Sequence, residues 1–339
     1  MEDSSLDTIF SEDSFGTFYY SAMNTDLLVS DAKGLVQEFR SGLDRASVNK
    51  WSLYELLIGM LDYAAYDEGR RYVASVLHSV PRDEATVVRV AQAWVDNMFL
   101  PMMVLCRPRT PAAFSHAPLY DDASSQVETA DRTEQNKLRE QVIIREGRLC
   151  AICKAHDMLY SDYPDTVLAS TEPALLDVVH IMPLSFNTTS TAFKDSALTL
   201  DMLRHWTGLG TEQLNTSRNA IFMTLSYQSL LGRFKAYFDG SPFPEEPNKY
   251  VVRSTDNARL PGVPGSSTVC TFESCGNIQV PSPEYLAIHA AFAKVLHACG
   301  AAQQVDKVFN DMEENQVLSS DGGSDIGLYL SSRLITAMS

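Results

Sequence analysis

Apolar residues recur at spacings of three and four over the first hundred residues, with polar residues between them. This spacing matches the 3.6-residue turn of an α-helix, and no sustained alternation typical of a strand interrupts it. The pattern predicts helices over residues 26–45, 51–66, 68–80 and 84–100. Residues 1–106 are therefore interpreted as an N-terminal helical region.

The apolar period is lost between residues 107 and 133, where Pro, Ala, Ser and Asp predominate. Such a composition is typical of a linker. A helix is expected after it, over residues 134–146. Gly147 is placed to end that helix, because glycine readily adopts the left-handed conformation found just after a helix.

From residue 134 to residue 254, short extended patterns and helical patterns alternate. Extended segments are expected at 149–153, 175–182, 219–223 and 249–254, and helices at 200–208 and 225–238. The chain is therefore predicted to be an α+β protein that is mostly helical.

After residue 254 the structural signals are weaker. Residues 255–283 are rich in Pro, Gly and Ser, which is typical of irregular structure. Helices are predicted at 284–298 and 301–315, so residues 255–317 are interpreted as a C-terminal region. Residues 318–339 contain SSDGGSD and are predicted to be a mobile tail.

The composition, with 45% apolar and 21% charged residues, is that of a globular protein. The longest apolar runs fall short of the roughly 18 residues that span a bilayer, so no membrane partner is expected. The acidic N-terminus carries neither the basic nor the apolar segment of a secretory signal. These features predict an intracellular protein, cytoplasmic or nuclear.

The net charge of −16 argues against a protein that coats nucleic acid, because the phosphate backbone is bound by an excess of Lys and Arg. Most of the excess acid lies outside residues 134–253, which are close to neutral. DNA or RNA therefore stays a candidate partner of the mixed region. The acidic helical region is a candidate surface for a protein partner.

Six cysteines in a chain predicted to be intracellular are interpreted as reduced thiols. Only Cys150 and Cys153 have the spacing of metal ligands. A zinc ribbon needs a second close pair, and Cys270 and Cys275 lie far along the chain with four residues between them. Cys150 and Cys153 are therefore interpreted as small buried hydrophobes, with a zinc site as the alternative.

Three segments follow one another in an informative order: LCAIC at 149–153, VVHIMP at 178–183 and SRNAIFMTLSYQ at 217–228. Together they resemble the HNH endonuclease motif as it occurs in a large group of fungal HNH-domain proteins. The resemblance covers roughly residues 134–253 and implies an embedded ββα-metal element, in which two strands and a helix surround one divalent ion. A lone histidine at the end of a buried strand is ordinarily a core residue, but the order of the segments favours the HNH fold.

The resemblance assigns roles to four residues. His180 matches the general base that activates water, a role that suits an imidazole near neutral pH. Asn219 matches the asparagine that holds the histidine in place. Asp177 and Gln228 match the metal ligands, although Gln228 stands where the family has a histidine, and Val179 precedes the base where many members have an acidic residue or a histidine.

The ligand chemistry favours Mg²⁺ or Mn²⁺ over Zn²⁺, because a glutamine offers a carbonyl oxygen and an aspartate a carboxylate. In a regular strand, side chains three residues apart point to opposite faces. Asp177 is therefore expected to reach the ion of His180 only through a bulge or a bend.

Basic and aromatic residues near these segments are candidate contacts to nucleic acid. Arg218, Arg233 and Lys235 flank the predicted site and are candidates for phosphate binding, although basic residues on a helix are usually just solvated. His205 and Trp206 are candidates for stacking on bases, although Trp more often packs beneath a helix.

Three functions remain in competition. The first is a metal-dependent endonuclease that hydrolyses DNA or RNA, with His180 as base and the ion at Asp177 and Gln228. The second is a non-catalytic protein of the same fold that serves as a scaffold or binds a protein partner. The third is recruitment of the fold to another chemistry.

Overall fold

The computed structural model describes residues 6–46, 51–106, 128–183, 196–210 and 214–301. The N-terminal helices are α1 (Leu6–Ile9), α2 (Glu12–Tyr19), α3 (Thr25–Glu38), α4 (Arg40–Arg45), α5 (Leu53–Tyr63), α6 (Asp67–Ser79), α7 (Glu84–Trp94) and α8 (Leu100–Cys106). A π-helical turn at Val95–Phe99 joins α7 to α8. Helix α6 lies at the centre of this group and packs against α2, α3 and α5.

Local signals in the sequence fix where several of these helices begin. The Ser52 side chain accepts a hydrogen bond from Glu55 N at the start of α5, and Asp83 accepts one from Thr86 N at the start of α7. Each bond satisfies a backbone N–H that has no partner inside the helix. The predicted helices at 51–66, 68–80 and 84–100 are confirmed.

The helix predicted at 26–45 is two helices. The chain turns at Phe39, and the turn brings α4 against α7, where Arg45 Nη2 lies 2.8 Å from Glu84 Oε1. Helices α1 and α2 were not predicted, because their apolar positions are few and their packing depends on residues far along the chain.

The second half mixes helices and short strands, as predicted. Its elements are α9 (Glu128–Arg145), β1 (His156–Asp157), α10 (Asp165–Ser170), β2 (Pro173–Ala174), β3 (Leu176–His180), α11 (Ser196–Thr207), β4 (Ala220–Thr224), α12 (Leu225–Gly232), β5 (Ala236–Asp239), β6 (Lys249–Ser254), β7 (Ser267–Thr271) and α13 (Pro283–Ala298). Strands β1 and β2 pair in parallel, β3 and β4 pair antiparallel, and β5, β6 and β7 form an antiparallel sheet. The chain is therefore an α+β protein.

Three predictions for this half were wrong. Residues 149–153 form a turn and not a strand, with Cys150 N donating to Ala155 O (2.8 Å). The helix predicted at 225–238 ends at Gly232, the chain reverses at Phe234 (φ 56°), and β5 follows. Strand β7 lies in the stretch predicted to be irregular. It buries only Cys270, so it shows no apolar alternation.

Some predictions fall partly or wholly on residues that are not described. Residues 107–127 of the predicted linker, the helix predicted at 301–315 beyond Ala301, and the tail at 318–339 all lie outside the described residues. Residues 128–133, also assigned to the linker, belong to α9.

One hydrophobic core joins the helical region to the mixed region. Helix α13 packs against both α5 and β5. The rings of Phe99, Trp206 and Phe292 lie 4.9 to 5.5 Å from one another between centroids. Among the described helices, none is long and apolar enough to cross a membrane.

Candidate functional site

Strands β3 and β4 and helix α12 form a ββα unit. The strands pair in register from Leu176 opposite Thr224 to His180 opposite Ala220. The side chain of Thr224 accepts a hydrogen bond from Tyr227 N (3.4 Å) and so caps α12, which packs against both strands. The predicted strand pair ending at His180 and the helix beginning after Thr224 are both present.

His180 is the last residue of β3, and its side chain is half-buried. Its Nε2 atom is shielded from solvent and has no hydrogen-bond partner among the described residues. Burial lowers the pKa of the imidazole, against a smaller opposite effect of Asp177. The ring is therefore neutral near pH 7 and able to accept a proton, but it is a weaker base than an imidazole in water.

Asn219 precedes β4, and its side chain is fully buried. Its Oδ1 accepts from Met182 N (2.8 Å), and its Nδ2 donates to Met182 O (2.9 Å) and to Leu214 O (3.0 Å). These bonds tie the segment before β4 to the residues that follow His180.

Asp177 lies on the face of β3 opposite His180. The five residue pairs of the β3–β4 ladder are consecutive and contain no bulge, so side chains three apart alternate to opposite faces. The Asp177 carboxylate forms an ion pair with the Arg139 guanidinium of α9. The described geometry therefore does not bring Asp177 and His180 together as ligands of one ion.

Gln228 lies in the first turns of α12, and its side chain is half-buried. It follows Asn219 by the length of β4 and one helical turn. Within the described ranges, no group of three or more His, Cys, Asp or Glu side chains is placed to hold a metal ion. The metal roles of Asp177 and Gln228 stay predictions.

Arg145 is a buried residue of this site that sequence reasoning missed. Its guanidinium donates to the carbonyl oxygens of Ser217 (2.7 Å), Ala220 (2.7 Å) and Gln279 (2.8 Å), and its Nη2 lies 2.8 Å from Glu146 Oε1. Burial lowers the pKa of Arg145 and raises that of Glu146, and each charge opposes the shift of the other. Arg145 thus anchors both sides of the Asn219 turn to the end of α9.

The predicted phosphate contacts lie in different settings. Arg218 donates to Ser282 Oγ (3.2 Å) and lies 3.9 Å from Glu284 Oε2, at the start of α13. Arg233 and Lys235 are half-buried in the connection between α12 and β5 and not along a helix. Their contact with phosphate stays a prediction, and Arg233 and Lys235 do not lie on a helix as the solvated alternative assumed.

Trp206 belongs to the core, whereas the His205 side chain is half-buried. Trp206 is 1% exposed and its Nε1 donates to Met60 O (3.4 Å). The His205 ring stacks on Tyr72 at 5.1 Å between centroids. The prediction that Trp206 stacks on bases was wrong, and the alternative, a Trp packed beneath a helix, is correct. Stacking by His205 stays a prediction.

Comparison of the sequence with protein-family models finds no match. Comparisons with curated proteins and with solved structures find none either.

Proposed function

We propose that this chain is an HNH-endonuclease-like protein in degenerate form, in which the ββα unit serves as a non-catalytic scaffold. The proposal rests on a contrast within the unit. The residues that hold it together, Asn219 and Arg145, make full sets of hydrogen bonds. Asp177, which the resemblance assigns to the ion, projects from the face of β3 opposite His180.

The observation that carries the proposal is the position of Asp177. A carboxylate and an imidazole share an ion only when both side chains project to the same side of the strand. Asp177 projects to the side opposite His180 and pairs with Arg139. The described residues thus do not fit a single ion held by both Asp177 and His180.

As a scaffold, the unit presents the helical region to a partner. The excess of acidic residues lies outside residues 134–253. A basic protein surface is the partner that this charge distribution favours.

Metal-dependent hydrolysis of DNA or RNA is the second candidate. The buried Nε2 of His180, which has no hydrogen-bond partner among the described residues, favours it. Buried polar atoms are rarely left without a partner, and a water molecule at this nitrogen is the simplest one. A neutral imidazole at this position accepts the proton of a water that attacks phosphorus.

A cleavage assay distinguishes the two candidates. Supercoiled plasmid DNA and single-stranded RNA are incubated with the full chain in Mg²⁺, in Mn²⁺ or in EDTA. The scaffold proposal predicts that wild type, His180→Ala and Gln228→His all cut no faster than the ions alone. The second candidate predicts Mn²⁺-dependent cleavage that Gln228→His raises at low Mn²⁺ and that His180→Ala abolishes.

A further inference from the structure

Cys150 and Cys153 lie at the two ends of a tight turn that follows α9. Leu149 pairs with His156 at its base, and Lys154 N donates to Cys150 O (3.1 Å) to close it. The bond from Lys154 N to Cys150 O makes this an i→i+4 turn, and Cys150 and Cys153 are its first and fourth residues. A disulfide needs a Cα separation of about 4.4 to 6.8 Å, a range that residues on one tight backbone turn can reach.

Cys150 and Cys153 shift each other's pKa. A hydrogen bond with Cys153 is the largest cause that lowers the pKa of the Cys150 thiol to about 6. The backbone N–H groups of Cys153, Thr224 and Ile152 lower it further, against the effect of burial. The same hydrogen bond, together with burial, raises the pKa of the Cys153 thiol.

Access to the pair is through Cys153. Cys150 is fully buried, whereas Cys153 is half-buried. The thiol of Cys270, a third cysteine close by, donates to Ala151 O (3.3 Å). Cys153 is therefore the thiol that a reagent in solution can reach. Cys150, whose pKa is lowered, is the buried thiol of the pair.

We propose that Cys150 and Cys153 form a reversible intramolecular disulfide, which makes this turn a redox-sensitive site. A small disulfide such as oxidised glutathione is the oxidant. The Cys150 thiolate accepts the proton of Cys153 as Cys153 Sγ attacks one of the oxidant's sulfur atoms, and the first glutathione leaves as a thiolate. Cys150 then gives that proton to the first glutathione and, again a thiolate, attacks Cys153 Sγ. The second glutathione leaves as a thiolate and takes up a proton from the solvent. Two protein thiols are oxidised and one small disulfide is reduced.

The disulfide acts on the ββα unit through β4. Ala151 N donates to Phe222 O (2.9 Å), and the N–H of Thr224 points to the sulfur of Cys150. Thr224 also caps α12. A change in the covalent state of Cys150 therefore acts on the backbone next to the cap of α12.

Thiol mapping on the full chain tests the proposal. Folded protein is equilibrated over a series of reduced and oxidised glutathione ratios, quenched in acid, alkylated and mapped by mass spectrometry. Wild type is expected to gain a Cys150–Cys153 disulfide, with the loss of two hydrogen masses, and dithiothreitol is expected to reverse it. Cys150→Ser is expected to stop at a mixed disulfide of glutathione on Cys153. Cys275→Ser, which removes an exposed cysteine, is the matched control and should form the disulfide like wild type.

Three outcomes overturn the proposal. The first is folded wild type in which both thiols are alkylated at every glutathione ratio. The second is a disulfide that joins Cys150 to Cys270. The third is stoichiometric zinc in the wild type that survives chelator dialysis and shields both thiols from alkylation. Because the wild-type readout decides each case, a variant that fails to fold does not affect the test.

Discussion

The Asn219 side chain and the Met182 backbone exchange two hydrogen bonds, with Met182 N donating to Oδ1 (2.8 Å) and Nδ2 donating to Met182 O (2.9 Å). Met182 lies two residues beyond His180, and Asn219 lies directly before β4. The pair therefore closes the open end of the β3–β4 ladder. An amide side chain does this because it carries a donor and an acceptor side by side, as a peptide group does.

Removal of this amide is expected to destabilise the fold. Asn219→Ala leaves the N–H and C=O of Met182 and the C=O of Leu214 buried without partners, at a cost of about 3 kcal/mol in the free energy of unfolding. Urea denaturation measures this loss of unfolding free energy. Asn277→Ala, at an exposed position, is the control and should change stability by less than about 0.5 kcal/mol. Equal effects of the two variants would contradict the closing role of Asn219.

Two arginines of α9 are expected to differ sharply in their tolerance of lysine. Arg145→Lys replaces a planar fork that reaches three carbonyl groups by a single ammonium, and should cost about 3 kcal/mol of unfolding free energy. Arg139→Lys alters a half-exposed ion pair with Asp177 and should cost less than about 1 kcal/mol. Chemical denaturation of both variants checks the difference, and a small effect at Arg145 would show that its bonds are dispensable.

Gly147 and Gly34 test the role of backbone conformation alone. A Cβ added at either position meets no atom within 4 Å, but Gly147 has φ +63° and Gly34 lies inside α3. Gly147→Ala should therefore destabilise by about 1 kcal/mol, because an L residue is strained in that conformation. Gly34→Ala should stabilise by about 0.5 to 1 kcal/mol, since alanine favours a helix over glycine. Thermal or urea unfolding measures the change in stability of each variant. Changes of the same sign in Gly147→Ala and Gly34→Ala would contradict this account.

His289 is expected to make stability depend on pH. It is fully buried in α13, donates to Leu231 O (3.1 Å), and burial lowers its pKa to about 4. The folded state keeps the ring neutral, whereas the unfolded chain takes up a proton below its ordinary pKa near 6.5. The contribution of His289 is therefore complete above pH 6.5 and is lost as pH falls towards 4.

At pH 5 this loss amounts to about 2 kcal/mol relative to pH 7.5. Urea titrations at both pH values compare wild type with His289→Gln, which does not titrate. The difference between the two pH values should be smaller in the variant by that amount. An identical pH dependence in both proteins would show that His289 is protonated without penalty.

Sequence patterns predicted the elements whose boundaries are set by local chemistry. Helices α5, α7 and α9 begin or end at Ser52, Asp83 and Gly147, residue types that cap helices in any context. Helix α2 was missed because its stability depends on a distant residue. The Arg71 guanidinium of α6 donates to Tyr19 O (2.6 Å) and Ser21 O (2.6 Å), more than fifty residues away in one case.

The candidate site was predicted in part for a similar reason. The order of the three segments located β3, β4 and α12, because the extended patterns at 175–182 and 219–223 and the helical pattern from 225 are local to each segment. The pairing of Arg139 with Asp177 and the burial of Arg145 could not be predicted from the sequence. Both arginines lie in a polar helix, and sequence does not distinguish a solvated arginine from one that crosses to a neighbouring strand.

Binding of Mn²⁺ to the full chain, measured by electron paramagnetic resonance or calorimetry, tests most directly whether Asp177 and His180 are separated. Wild type, Asp177→Asn and His180→Ala are titrated under the same conditions. The opposed faces of β3 predict no Mn²⁺ site whose affinity depends on both residues. A single ion per chain whose Kd rises by about tenfold or more in each variant would contradict the account, because both side chains would then be ligands of that ion.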